Sequence, residues 1–133
     1  MGNRPTRFSN RYYSNKQEKS IVKAIGGRQT PNSGATRFVK GDVLLDEWLI
    51  EAKTLTAERQ NFTIKKEWLS KMQEEAFAMG KSKSALAFNF GDEENYYVIN
   101  EKLFKCFLQL LEKEDREFWE SIDPAHRMDD DLK

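Results

Sequence analysis

The chain has little cysteine and little histidine: its 133 residues include one of each, Cys106 and His126. A single cysteine excludes a disulfide framework and a cysteine-based zinc site. A single histidine is too few for a typical histidine-rich zinc site. We therefore expect a protein of a reducing compartment, the cytoplasm, whose chemistry depends on other residue types.

Long apolar runs are also missing. No stretch approaches the ~18 apolar residues that span a bilayer, and no charged-then-apolar signal segment opens the chain, so we expect no membrane partner. Hydrophobic residues make up 38% of the chain and charged residues 33%, a composition that can fold around a core. We predict one domain over residues 16–122, a basic, aromatic arm over 1–15 and an acidic tail over 123–133.

The charges cancel overall but are unevenly distributed. Residues 1–41 contain nine lysines and arginines against one acid, Glu18, whereas residues 112–133 contain four against nine acids. A basic N-terminal segment on a protein of zero net charge suggests a polyanion such as nucleic acid as the partner. The alternative is that the basic arm only neutralises the acidic tail.

The spacing of apolar residues predicts an α/β fold. Ser14 or Asn15 can cap a first helix that Gly26-Gly27 ends, and Gly80 can end a second. The expected order is a helix over 16–25, a loop over 26–37, hairpin strands over 38–53, a helix over 64–79 capped by Thr63, strands over 84–90 and 96–99, and a helix from Asn100. This order predicts a mixed sheet of about five strands flanked by helices.

Residues 41–53, GDVLLDEWLIEAK, place charge within an apolar strand. Side chains alternate along a strand, so Glu51 and Lys53 share one face. If Asp46-Glu47 forms a hairpin turn, Asp42 lies opposite Glu51 on the same face. Two carboxylates in that arrangement repel each other unless a cation lies between them.

The carboxylates Glu18, Asp42 and Glu51 are hard oxygen donors that suit Mg²⁺ or Mn²⁺ and not zinc. Glu18 lies on the apolar stripe of the first helix, three and four residues before Ile21 and Val22, although an acid near a helix N-terminus is also explained by the helix dipole. Lys53, two residues from Glu51, can contact both an attacking water and a scissile phosphate. These residues predict metal-dependent phosphodiester hydrolysis.

The ordered set Glu18, Asp42, Glu51-Ala52-Lys53 resembles the PD-(D/E)xK nuclease superfamily, and more narrowly the archaeal-type Holliday-junction resolvases and their phage relatives. The likeness covers about residues 14–100. It includes the early helix with its glutamate, the loop ending near Ser33-Gly34, the hairpin, the helix starting at Lys65-Lys66 and the closing strand pair.

The resemblance implies a role for each matching residue. Glu18, Asp42 and Glu51 would be metal-site carboxylates, with the Ala52 carbonyl as a further ligand. Lys53 would position or activate the hydrolytic water, and Ser33 would lie near the scissile phosphate. The family also implies a homodimer that makes paired nicks in a four-way DNA junction, in the cytoplasm of a prokaryotic or phage-infected cell. The chain departs from the pattern at Gly41, which replaces a proline, and in its C-terminal helix and acidic tail.

Basic residues near these positions are candidates for binding DNA. In the arm they are interleaved with aromatic residues able to stack on unpaired bases; a disordered, solubilising terminus is the alternative. Two lysines in the first turn of the second helix oppose the helix dipole and suggest an outside anion, or an ordinary solvated face. The candidates are Arg4, Arg7, Arg11, Lys16, Arg28, Arg37, Lys65 and Lys66.

Together these observations predict a magnesium-dependent, structure-specific DNA endonuclease, most closely a Holliday-junction resolvase. One alternative is a nuclease of the same superfamily that acts on nicked, flap or other branched DNA. Another is a non-catalytic nucleic-acid-binding protein, in which the basic arm carries the function. A third interpretation, a simple ion pair between Glu51 and Lys53, leaves Asp42 and Glu18 unexplained.

Overall fold

The structure, a computed structural model, describes residues 10–30 and 43–122 of the chain, with side chains from Tyr12 onward at its start. It divides into two compact units, Met1–Ile99 and Asn100–Lys133. The helices and strands are α1 (Asn10–Ile25), β1 (Arg28–Gln29), β2 (Val43–Leu44), β3 (Trp48–Lys53), α2 (Lys66–Ala78), β4 (Lys83–Phe88), β5 (Tyr96–Val98) and α3 (Glu101–Ser121).

The first unit contains a five-stranded sheet with the strands in chain order, β1-β2-β3-β4-β5. Only β3 and β4 are parallel, and α2 connects them; the other three neighbouring pairs are antiparallel. The predicted α/β class, with a mixed five-stranded sheet and helices beside it, is confirmed. The order of elements is also the order expected of a restriction-endonuclease-like sheet.

The predicted hairpin register is confirmed for every described residue in it. Val43 pairs with Ile50 and Leu44 pairs with Leu49. The Leu45 amide donates to the Trp48 carbonyl at 3.1 Å. Asp46 and Glu47 therefore form the turn. The predicted partner of Glu51 is Asp42, which lies outside the described residues.

The two faces of the sheet carry separate apolar clusters, because alternate side chains of each strand point to opposite faces. On one face, α1 contributes Ile21 to a cluster with Val43 and Ile50. On the other face, α2 contributes Met72 and Ala76 to a cluster built on buried β-strand leucines, Leu44, Leu49 and Leu86. The sheet is therefore a middle layer, with α1 packed on one face and α2 on the other. This packing fixes the positions of the strand ends, where the charged residues lie.

The starts of two helices differ from the sequence-based expectation. Helix α1 begins at Asn10 and not near residue 16, so Ser14 lies inside the helix, where its hydroxyl donates to Glu18 four residues on. Helix α2 begins at Lys66 and not at 64. Its N-cap residue is Lys65, whose side chain makes no capping hydrogen bond, and Thr63 does not cap it.

Glycines end the first two helices as expected, at backbone conformations that other residues rarely adopt. Gly26 and Gly27 follow α1 with φ of 87° and 90°, and Gly80 follows α2 with φ of 74°. The segment after Gly27 was expected to be a loop. Arg28 and Gln29 instead pair with β2, because a strand that follows directly on the helix can cover the open edge of the hairpin.

The second unit contains one described element, helix α3. Its N-cap is Asn100, as predicted, and the Asn100 side chain accepts a hydrogen bond from the Leu103 amide at 2.9 Å. The helix runs on through Phe118 and Trp119 to Ser121, as the apolar spacing indicated. Within the described part of the chain, no helix is long and apolar enough to cross a membrane.

Candidate active site

The C-terminal end of β3 brings Glu51 and Lys53 into direct contact. The Lys53 Nζ atom lies 3.1 Å from Glu51 Oε2. The contact follows from strand geometry, since side chains two residues apart lie on the same face. Leu49 packs against α2, and every second residue of the strand lies on the same face. Glu51 and Lys53 are therefore on the α2 face of the sheet. The predicted same-face arrangement of the pair is therefore present.

The second oxygen of the Glu51 carboxylate has no partner. The Glu51 side chain is 16% exposed, and its Oε1 atom is buried with no hydrogen bond from any described residue. A buried carboxylate oxygen without a donor or cation is costly, because water is removed and nothing replaces it. A metal ion is one of the groups that can satisfy such an atom, and an ordered water is another. Glu51 therefore fits a hard divalent cation such as Mg²⁺.

Lys53 also contacts an aromatic ring. Its Nζ atom lies 4.4 Å from the ring centroid of Trp68 on α2, and Lys65 Nζ lies 5.8 Å from the same ring. A cation over the face of tryptophan is attracted by the ring quadrupole. Trp68 therefore restrains Lys53 from one side while Glu51 holds it from the other, which fixes the position of the ammonium group.

Lys53 opens onto a cleft of about 640 Å³ beside the end of β3. Its charged lining residues are all cations, namely Lys53, Arg59 and Lys65. The aromatic rings of Phe62 and Trp68 form part of the wall. A concave, cationic surface is suited to a phosphate backbone. The remaining lining residues are Ser14, Ala52, Thr54, Leu55, Thr56, Asn61 and Thr63.

Glu18 is buried on α1 and is fully hydrogen-bonded by neutral donors. It is 5% exposed. Ser14 Oγ donates to its Oε2 at 2.8 Å, and Gln29 Nε2 donates to its Oε1 at 3.1 Å. The same Gln29 amide also donates to Asn15 Oδ1 at 2.7 Å. In these contacts Glu18 ties α1 to β1.

The partners of Glu18 and of Glu51 lie on opposite faces of the sheet. Gln29 pairs directly with Val43, which belongs to the cluster on the α1 face. Directly paired residues share a face, so Glu18 is held on the α1 face. Lys53 and Trp68 hold Glu51 on the α2 face. The carboxylates of Glu18 and Glu51 could approach each other only at the end of the sheet. There Glu51 lies one residue beyond Ile50, which is in register with Gln29 through Val43.

Among residues 10–30 and 43–122, no three histidine, cysteine or acidic side chains lie close enough to hold a metal ion. Asp42 falls outside that set, and so does Ser33. The proposed ligand set of Glu18, Asp42, Glu51 and the Ala52 carbonyl therefore stays a prediction, as does the role of Ser33. Of the residues in this set, Glu51 has a buried carboxylate oxygen with no partner among the described residues.

The predicted DNA-binding residues that the structure describes lie at different depressions of the surface. Lys65 lines the cleft at Lys53, whereas Lys16 lines a depression on the α1 side that shares Thr54, Leu55 and Thr56 with it. Arg28 lines a third depression, at the N-terminal end of β3. Lys66 is exposed at the start of α2. Arg4, Arg7 and Arg37 lie outside the described residues, as does the side chain of Arg11.

Sequence reasoning missed two lining residues of the cleft. Arg59 lies in the polar segment after β3, and its amide donates to the Phe90 carbonyl at 2.8 Å, which anchors the segment. Its position six residues after Lys53 was the sequence feature that could have indicated a place near the site. Trp68 was expected only in the core; its spacing from Lys65 on α2 indicated that the two share one side of the helix.

A buried polar network next to the cleft was also not predicted. Gln17 on α1 accepts from Thr54 Oγ1 at 2.5 Å and donates to Asn95 Oδ1 at 3.3 Å. Asn95 in turn donates to Ser20 and accepts from Asn89. The network joins α1 to the residue after Lys53 and to the β4–β5 connection, so it fixes the end of β3 relative to α1.

Comparisons with protein-family models, curated proteins and solved structures found no match to this chain. The functional assignment therefore rests on the geometry of the site.

Proposed function

We propose that the protein is a metal-dependent, structure-specific DNA endonuclease that hydrolyses phosphodiester bonds, with a four-way junction as the expected substrate. The proposal rests on the different environments of the two oxygens of the Glu51 carboxylate. One oxygen is bound to Lys53 at 3.1 Å, and the other is buried without a partner. A simple ion pair would not bury a bare oxygen, since doing so costs free energy.

In this proposal Glu51 holds a divalent cation through Oε1, joined by Asp42, the Ala52 carbonyl and Glu18. Mg²⁺ or Mn²⁺, when bound, lowers the pKa of the hydrolytic water and screens the phosphate charge. The short β2–β3 connection supports Asp42 as the second ligand. The pairing of Val43 with Ile50 has the register from which the sequence-based prediction places Asp42 opposite Glu51.

Lys53 is the residue that faces the substrate. Its ammonium group is held between the Glu51 carboxylate and the Trp68 ring and opens onto the cleft. From this position it orients the hydrolytic water toward the phosphorus atom and donates a hydrogen bond to a non-bridging phosphate oxygen. Its positive charge also stabilises the negative charge that develops there. Arg59 and Lys65 bind the flanking phosphates of the same strand.

The sequence-based expectation of paired nicks requires two such sites, which a homodimer would supply. A four-way junction presents two strands related by two-fold symmetry, and a two-fold dimer matches that symmetry. Nicked, flap and other branched DNA remain the alternative substrates.

The test is cleavage of a synthetic four-way junction in a Mg²⁺ titration, run beside flap, nicked and linear duplex DNA. Wild-type protein is expected to cut the junction fastest, and Glu51→Ala and Lys53→Ala are expected to cut no substrate. Preference for flap or nicked DNA would keep the nuclease assignment and change the substrate. Metal-independent binding without cleavage would instead support the non-catalytic interpretation.

A further inference from the structure

Helix α3 exposes large apolar side chains along one side. Phe104, Leu111 and Phe118 lie seven residues apart and are 54%, 57% and 55% exposed. Residues at this spacing lie on one side of a helix, and Leu108 lies between them on the same side. No residue of α3 is buried. An apolar stripe about 21 Å long on an exposed helix indicates an interaction surface.

The distribution of charge along α3 indicates which partner covers this stripe. Residues 101–110 carry two lysines against one glutamate, whereas residues 111–121 carry two basic residues against five acids. Two such helices in parallel would place the acidic half against itself. Two in antiparallel orientation would place each acidic half against the more basic half. The charge pattern of α3 is therefore self-complementary in the antiparallel orientation alone.

One pair of charges beside the stripe sets the alignment. Lys105 and Glu112 are seven residues apart on the same flank, with Leu108 and Leu111 between them. A two-fold axis at the middle of that interval brings Lys105 of each copy next to Glu112 of the other. Within one chain, Lys105 pairs with Glu101 at 3.5 Å, but both side chains are exposed. Such an ion pair is weak and can be exchanged at little cost.

We infer that two copies of this chain associate through α3, with the stripe of Phe104, Leu108 and Leu111 packed antiparallel against its counterpart. The contact is isologous, so it closes at a dimer. Helix α3 lies outside residues 14–100, the part that resembles a nuclease. The inference therefore stands apart from the proposed activity, although the dimer would supply its second site.

Sedimentation velocity of the full chain over micromolar concentrations tests the interface. Wild type is expected to dimerise, and Leu111→Asp is expected to raise the dimer Kd at least ~30-fold, as for a central interface residue. Phe77→Asp is the matched control, because Phe77 is an apolar residue of α2 that is 86% exposed. It is expected to leave the Kd unchanged. Circular dichroism checks that each variant is folded.

A charge exchange tests the orientation. Lys105→Glu alone and Glu112→Lys alone are each expected to weaken self-association, because like charges then meet at this flank. An equimolar mixture of the two variants is expected to dimerise at least as tightly as wild type, because opposite charges meet in the mixed pair. In a parallel pairing like charges already meet at both positions, so neither single variant would weaken self-association.

Several results would overturn the inference. A monomeric wild-type chain would do so, whether another protein or no protein covers the stripe. Equal effects of Leu111→Asp and Phe77→Asp would show that the stripe is not the interface. A mixture that associates no better than its components would contradict the antiparallel arrangement. Since the readout is molecular mass and not cleavage, none of these results decides whether the protein is a nuclease.

Discussion

Lys53 binds one oxygen of the Glu51 carboxylate at 3.1 Å, and the other oxygen is buried with no partner among the described residues. Under the proposed function this asymmetry gives the two residues different roles: Glu51 would accept a cation, and Lys53 would contact the substrate. Each role can be removed without the other.

Lys53→Gln should separate metal binding from cleavage. Glu51 keeps its free oxygen in this variant, so Mn²⁺ binding by calorimetry should persist, while junction cleavage should fall at least ~100-fold, the usual range for a group that assists proton transfer. Lys83→Gln is the control, since Lys83 pairs with Trp48 at the opposite end of β3. Loss of metal binding together with cleavage would mean that Lys53 acts only by placing Glu51.

The cationic cleft should dominate DNA affinity. Lys65→Gln and Arg59→Gln should each weaken binding to an uncleaved junction in Ca²⁺ buffer and reduce the slope of log K against log salt by about one, because each removes one phosphate contact. Arg28→Gln should have a smaller effect, because Arg28 lines a depression at the other end of β3. Fluorescence anisotropy over a salt series measures all three. Equal effects of Arg28 and Lys65 would require a broader DNA surface.

The two glycines after α1 should differ in their tolerance of a side chain. Gly26→Ala should destabilise the protein by about 1–2 kcal/mol, the cost of a left-handed conformation, since a Cβ atom there meets nothing within 4 Å. Gly27→Ala should cost more, because its Cβ would lie 2.6 Å from the Leu44 carbonyl oxygen. Urea unfolding of both variants gives the difference. Similar values would show that the backbone there shifts freely.

Glu94, in the connection between β4 and β5, should affect the pKa of Tyr96. The carboxylate of Glu94 raises the pKa of Tyr96 above its ordinary value, with smaller contributions from burial and from Asp92. Glu94→Gln should lower the Tyr96 pKa, whereas Glu93→Gln should leave it nearly unchanged. NMR of labelled tyrosine rings follows each phenol separately. Because the folded pKa is raised, any stability linked to this phenol is present below the ordinary tyrosine pKa and is lost as the pH rises through the raised one.

The sequence predicted the fold most accurately where a local pattern had one consistent solution. Alternation in WLIEAK put Glu51 and Lys53 on one face, and the supposition that Asp46 and Glu47 form the turn gave the register that the pairing of Leu44 with Leu49 confirms. Asn100 was identified as a cap because its side chain can reach the Leu103 amide. Both features depend on residues close together in the chain.

Features that depend on distant contacts were not predictable in the same way. One donor to Glu18 on helix α1 is Gln29, which lies on strand β1. The ring that contacts Lys53 belongs to Trp68, 15 positions away in the sequence. The start of α1 was placed too late because the strong turn signals of the arm, Ser and Asn, were read as caps although they lie inside the helix. Such residues adopt either state, and tertiary contacts decide between them.

The most direct test of the central claim is Mn²⁺ binding by isothermal titration calorimetry to wild type, Glu51→Gln and Glu47→Gln. Glu47 is the matched control, because it lies on the same hairpin and its exposed carboxylate is bound by Ser82. Wild type and Glu47→Gln are predicted to bind Mn²⁺ with similar affinity, while Glu51→Gln loses measurable binding and with it junction cleavage. Unchanged Mn²⁺ binding and cleavage in folded Glu51→Gln protein would contradict the assignment of Glu51 as the metal ligand.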